Sequence, residues 1–395
     1  MRAFLLQVHR YCGLACLLFL SLAALTGCVL VFRGPIDRAL NADLYAAPAA
    51  QGMSSADNVA AVDAWAQRNP RIQVLGFPLI TEPGRSIPVE VGAKPGEIAP
   101  AYDEVFLTPV SGEVVGTRDR APAMTRHGFV NGVAEFHFDL LAGTWGRWLL
   151  GAVAALWFVL SLVGLYLTFP ERGAFWKQWR RNWQFRRSSA TPRLLLDLHR
   201  ASGLWLLPFI LLLAATSVAL NFWGEFYAPT VTAISPLEHD LFDEDPPYPE
   251  GATAKLTFAE ALPFAESHAR EVGLEWEPAR MLYMPDWNMY GVKFSPDGVL
   301  SYEKLGPVDH YFDADNGQWR HQVDPYNDTA GLVMIRVAYP LHSGEIFGFA
   351  SLLIVFVLGL VTFGQSATGL YLWLKKRRSR VAQRRRQRAQ KEVRA

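Results

Sequence analysis

Four apolar stretches, near residues 11–32, 148–169, 203–223 and 346–374, are each long enough to cross a bilayer, which takes roughly 20 residues. They make the chain an integral membrane protein with four spans, and the lipid bilayer is its first partner. The last stretch is interrupted by Gly364, Gln365 and Ser366, where a kink is expected. The net charge of +1 decides little and calls for no nucleic-acid partner; its distribution decides orientation. Residues 170–193 carry seven Lys or Arg, and the segment after Leu374 is almost wholly basic. Both are expected on the cytoplasmic side of a bacterial inner membrane, with both termini cytoplasmic.

The layout that follows has a first span in 1–32, an outer module in 33–145, a second span in 146–169 and a basic loop in 170–193. A third span in 194–223, a second outer module in 224–345, a fourth span in 346–374 and a basic tail in 375–395 complete it. The outer modules face the periplasm. Trp176, Trp179 and Trp183 stand among the loop arginines, the pattern of an amphipathic helix lying on the inner membrane surface. Just outside the third span, the acidic stretch 238–247 reads as a solvated linker or as a docking patch for a basic periplasmic partner such as a siderophore-binding protein.

Cysteine usage is a negative signal. Cys12, Cys16 and Cys28 all lie in the first span, so no disulfide framework holds the outer modules, and no C-x-x-C-H motif is present for covalent haem. The "LTGC" at 25–28 has the form of a lipoprotein cleavage site, but the apolar run continues through "VLVF".

The chain repeats itself. His9, Arg10, Gly13 and Thr26 recur 190 residues on as His199, Arg200, Gly203 and Thr216. His137, Gly143 and Gly164 recur 205 residues on as His342, Gly348 and Gly369, and Gly112 in "FLTPVSGEVVG" falls on Gly317 in "YFDADNGQWRH". Each half is span, outer module, span. With an even number of spans per half, the halves share one orientation as parallel repeats. The fold class expected is an α-helical membrane protein with α+β extracytoplasmic modules, its four transmembrane helices forming two helix–module–helix repeats. In each module a helix (55–69, 257–273) precedes short strands: "IQVLGF", "SIPVEV" and "EVFLTP", then "ARMLYM", "YGVKFS" and "VDHYFD". No nucleophile–base pair and no glycine-rich phosphate loop stands in either module.

Of nine histidines, four belong to the repeat. His9 and His199 lie at the cytoplasmic ends of spans one and three; His137 and His342 lie just before spans two and four. Ionisable groups at membrane depth are costly and mark function. Two imidazoles meeting across a two-fold axis suit a six-coordinate haem iron, whereas zinc or copper would add cysteine, carboxylate or more histidine. Gly13 and Gly203, four residues past the histidines, leave room for a flat porphyrin on the same helix face. Arg10 and Arg200 are within reach of haem propionates or serve as ordinary cytoplasmic-side anchors. From His137 to Gly164 a continuous helix would run about 40 Å, so a haem near each face would make a two-step path across the bilayer. The remaining histidines, His127, His239, His268, His310 and His321, have no repeat partner and read as solvated surface groups, with His310 and His321 near a turn where substrate could touch.

The residues "H-R-x-x-G-L" at 9–14 and 199–204, "L-H-S-G" at 341–344 and "T-G" at 26–27 resemble the PepSY-associated transmembrane family, and "P-V-S-G-E-V-V-G" at 109–116 resembles its PepSY module. The resemblance covers nearly the whole chain and is strongest to the ferric-siderophore reductases of that family, of the ferrioxamine-reductase type. It implies two b-type haems with His9, His199, His137 and His342 as axial ligands, and reduction of periplasmic ferric siderophore with release of iron(II). Two departures stand out: Thr216-Ser217 replaces a second "T-G", and Asp139 follows His137 closely. No G-x-G-x-x-G follows a strand, so the electron donor is expected to be membrane quinol or a cytoplasmic reductase. Two other readings stay open: a non-catalytic sensor or scaffold whose modules bind a periplasmic protein, and a permease for iron or haem, which the lack of a charged pathway in the spans disfavours.

Overall fold

The computed structural model describes residues 1–48, 54–186, 191–237 and 244–394; His239 and most of the acidic stretch lie outside them. The chain divides into two compact units. One comprises residues 1–31, 134–227 and 341–395, the other residues 32–133 and 228–340.

In the first unit, helices Arg2–Leu30, Gly143–Thr168 and Phe349–Gln383 (part of a helix that runs to Arg394) each contain a stretch long and apolar enough to cross a membrane. The fourth candidate is a pair, Thr191–Trp205 and Leu207–Asn221, bent by 72°. Pro208 explains the bend. It has no N–H to give the preceding turn, and its ring disfavours helical geometry at Leu207. The helix accordingly stops and restarts around Leu206 with Pro208 in the new first turn. The kink expected at Gly364–Ser366 is absent: the last helix runs through it unbroken. The first span packs against the second and fourth, and the bent pair packs against the same two, closing a four-membered bundle. Cys28 is buried in that packing, where Gly359 lets the fourth span approach the first.

His137 does not share a helix with the second span. Its helix, Phe129–Asp139, ends where Leu140 and Leu141 turn to φ of 59° and 57°, and Gly143–Thr168 starts afresh. Asp139 makes the turn, its carboxylate accepting the Leu141 N–H at 2.9 Å. The single 40 Å helix expected there is therefore broken, and the carboxylate that looked out of place is a structural cap. His342 is carried likewise by a separate helix, Ala330–Ser343.

The basic loop forms one turn of helix, Phe175–Trp179, and a tight turn, Arg180–Trp183, in place of a longer amphipathic helix. Its tryptophans build an edge-to-face ladder. Trp179 meets Trp183 at 5.2 Å, and Trp183 meets Trp205 at 5.2 Å. Trp179 Nε1 donates to Thr168 Oγ1, fastening the ladder to the second span.

The second unit holds one antiparallel eight-stranded sheet in the order β4-β3-β2-β1-β5-β6-β7-β8. The strands are β1 Ile72–Pro78, β2 Ile87–Ala93, β3 Glu104–Leu107, β4 Val114–Arg118, β5 Glu277–Met284, β6 Met289–Ser295, β7 Val308–Asp313 and β8 Trp319–Val323. Strands and helices fall on the segments whose alternation and turn residues called for them. The two strand sets are not separate bodies: β1 pairs with β5, with Phe77 opposite Met281, so each set covers the other's exposed edge. The strand order reads the same outward from that seam in both directions.

Helices Ser55–Arg68 and Phe258–Glu271 open with capping boxes, Ser54 with Asp57 and Thr257 with Glu260, and pack on the sheet. Phe77, Val62, Met281 and Ala265 are wholly buried between them. Each large apolar side chain so buried contributes about 1.5–3 kcal/mol. Asp63 of the first helix accepts the Phe258 and Ala259 N–H groups at 3.2 and 2.8 Å, capping the second helix. Elsewhere in the unit, Arg118 is buried between Asp37 (2.9 Å) and Glu104 (2.5 Å).

Candidate functional site

The bundle brings the four repeated histidines together as two pairs. His9 and His199 have ring centres 6.4 Å apart; His137 and His342 have theirs 6.3 Å apart. Within the first span, His9 and Thr26, the residue beside His137, are separated by about 25 Å of helix rise, so the pairs stand at different depths.

Each imidazole is held at Nδ1. His9 Nδ1 lies 3.1 Å from the Leu160 carbonyl, and His199 Nδ1 lies 3.2 Å from the Gln365 carbonyl and 3.3 Å from Thr368 Oγ1. His137 Nδ1 lies 2.9 Å from Thr26 Oγ1, and His342 Nδ1 lies 3.2 Å from Thr216 Oγ1. A carbonyl can only accept, so His9 and His199 donate from Nδ1–H. The threonines reach the same result indirectly. Thr26 gives its single proton to the Leu22 carbonyl and Thr216 gives its own to the Leu212 carbonyl, so both oxygens accept from the rings. All four histidines are therefore Nδ1–H tautomers whose lone pair sits on Nε2.

Glycine makes the close approach possible. A Cβ at Gly164 would stand 3.2 Å from His9 Cε1, and one at Gly27 would stand 3.2 Å from His137 Cε1. The carbonyl that His9 uses lies one turn before Gly164, and that used by His199 lies one turn before Gly369, so the missing side chains open the groove into which the rings reach. Ser217 carries the Cβ that Gly27 lacks, and the Thr216–His342 bond is the longer of the two. The hydrogen bond is thus kept despite the departure from "T-G".

These residues fit axial ligation of haem. Metal–imidazole bonds of about 2 Å, added to about 1 Å from nitrogen to ring centre, put two ligands on opposite sides of one iron about 6 Å apart. The observed 6.4 and 6.3 Å match that span. A ligating histidine normally donates its other N–H to a fixed acceptor, as all four do here. Among the described residues no cluster of three or more His, Cys, Asp or Glu forms, so neither pair has the further protein ligands of a closed zinc centre.

The other expected site residues divide. Gly13 faces open space on the His9 helix, whereas Gly203 abuts the Gln365 amide and serves the helix crossing. Arg10 has a 3.4 Å bond to neutral Gln7 and keeps its charge available. Arg200 is paired at 2.5 Å with the buried Asp197, which also takes Arg186 at 3.2 Å. Asp197 is the repeat counterpart of Gln7, so one substitution makes the two arginines unequal.

The residues that hold the rings, Thr368 and the carbonyls of Leu160 and Gln365, escaped sequence reasoning. A backbone acceptor carries no side-chain signature. The recurrence of Gly164 and Gly369 was the available signal. His310, expected on the surface, is buried at 1% exposure in β7, and burial pushes its ring down to about 4. His127 also has a buried ring nitrogen, so it too is not the solvated group expected.

The model of the PepSY-associated TM region family matches residues 6–376. The chain belongs to that family. No curated protein matches this PepSY-associated membrane protein.

Proposed function

We propose that this PepSY-associated protein is a haem-dependent inner-membrane reductase. In this reading its four spans form two parallel repeats, hold two haems b, and pass electrons from membrane quinol or a cytoplasmic reductase to ferric siderophores in the periplasm. The observation that carries it is the double pairing of the repeated histidines at 6.4 and 6.3 Å with every Nδ1–H held and every Nε2 left for a ligand. Haem b bound there supplies reversible one-electron chemistry at iron.

The chain's own contribution is positional. Thr26 and Thr216 at one level, and the Leu160 and Gln365 carbonyls at the other, fix the ring tautomers and raise ligand basicity. Arg10, its charge not cancelled by Gln7, would pair with a propionate at the His9–His199 level, while Arg200 is already engaged by Asp197. Outward electron movement is favoured by an inside-negative potential at about 2.3 kcal/mol per 100 mV. Hard siderophore oxygens prefer iron(III), so reduction loosens the chelate.

The test is reduction of a ferric hydroxamate by the protein in liposomes, with a ferrous-iron chelator as the trap. The reading predicts iron(II) only where the sheet unit faces the chelate, and its loss in His342→Ala. Equal reduction by His342→Ala would overturn the route through both pairs.

A further inference from the structure

The sheet unit carries a third histidine pair, and it differs from the other two. His268, near the end of helix Phe258–Glu271, lies over His310 of β7 with ring centres 5.2 Å apart and ring planes at 72°. His268 Nε2 and His310 Nδ1 are both buried, and neither has a hydrogen-bond partner among the described residues. A buried polar atom left unpaired is uncommon and asks for an occupant. Here two such nitrogens belong to rings in contact.

The spacing indicates what the occupant would be. With metal–imidazole bonds of about 2.05 Å and about 1.15 Å from nitrogen to ring centre, each ring centre stands about 3.2 Å from the ion, so a 5.2 Å separation corresponds to a nitrogen–metal–nitrogen angle of about 110°. That is the tetrahedral angle. The membrane pairs, at 6.4 and 6.3 Å, correspond to ligands on opposite sides of the ion.

We propose that His268 and His310 form a tetrahedral site for a divalent first-row transition ion, with two positions left for water or an incoming ligand. Among the described residues no third His, Cys, Asp or Glu completes the set. The site is therefore an open, exchangeable one, unlike a closed structural centre. Imidazole suits zinc, ferrous iron, nickel and copper. Glu271 Oε2 lies 4.0 Å from His268 Nδ1, on the side of the ring away from Nε2, and adds negative charge beside it. Phe294 at 5.0 Å from His310 and Trp319 at 5.4 Å from His268 wall the pair, and the rest of the His268 ring lies partly at the surface, with 19% of its side chain exposed. The site stands whether or not the membrane pairs hold haem.

The test uses the full-length, tag-free protein in detergent, titrated with cobalt(II), whose absorption distinguishes tetrahedral from octahedral binding. One cobalt per chain with the tetrahedral spectrum is expected. His268→Gln should weaken binding by more than the roughly 10–100-fold that loss of a supporting hydrogen bond costs. His310→Phe, matched to its aromatic surroundings, should abolish binding, and His9→Ala and His137→Ala should leave it intact. Cobalt bound only octahedrally, or bound equally well by His268→Gln, would overturn the site. If His310→Phe does not fold, His268→Gln decides alone. Haem content measured on the same samples keeps failure here distinct from failure of the reductase reading.

Discussion

Replacing Thr26 by valine keeps the shape of the side chain and removes one oxygen. That oxygen is the acceptor for His137 Nδ1–H at 2.9 Å. Its own donation to the Leu22 carbonyl adds little, because that carbonyl already lies in the helix ladder. The loss therefore falls on the imidazole, which is left with the Ala23 carbonyl as its remaining acceptor, at a cost of about 1 kcal/mol. If ligation by Nε2 depends on this hydrogen bond, haem affinity at the His137–His342 level should fall by roughly 10–100-fold. Thr216→Val should act in the same direction and less strongly, since its bond to His342 is 3.2 Å. The assay is haem per chain by pyridine haemochrome during dilution into haem-free detergent, with the thermal melt of the haem-free protein as a control. Valine variants that keep haem and midpoint potential unchanged would refute the tautomer argument.

Gly164→Ala would put a Cβ 3.2 Å from His9 Cε1, so the ring must shift by a few tenths of an ångström, and haem affinity at the His9–His199 level should fall while the other level is spared; redox difference spectra read this. Arg118→Ala leaves Asp37 and Glu104 without their shared cation and should destabilise the sheet unit by about 3–5 kcal/mol, seen as a lower denaturant midpoint. Asp63 is held above the usual carboxylate range by burial, against the pull of two backbone N–H groups. Its contribution is thus full below the ordinary value of 3.8 and is lost as pH rises through the folded value. Asp63→Asn should flatten that part of the stability–pH curve in melts from pH 3.5 upward.

Much of the sheet unit was legible, for a physical reason. Period-two runs such as "VDHYFD" and the repeated glycine turns are local signals, and β7 spans Val308–Asp313, the same six residues. The joining of β1 to β5 was not legible, because edge pairing between two modules leaves no mark on either strand alone. In the membrane unit, histidine spacing revealed the candidate ligands, since a repeat exposes positions that composition hides. Helix breaks were harder to place. Glycine and serine at 364–366 were tolerated in a long apolar helix, whereas Pro208 bent one, and Asp139 ended one through a side-chain bond that a hydropathy pattern cannot register. His310 was misjudged because its burial beside His268 is set by the packing of a distant helix on β7, which no local pattern records.

The most direct measurement of the central claim is haem stoichiometry in the purified chain and its histidine variants. Two haems b per chain are predicted for the natural protein, and one each for His199→Ala and His137→Ala, with a different set of reduced bands missing in each variant. A purified chain with no haem bands, or variants that keep both haems, would contradict the account.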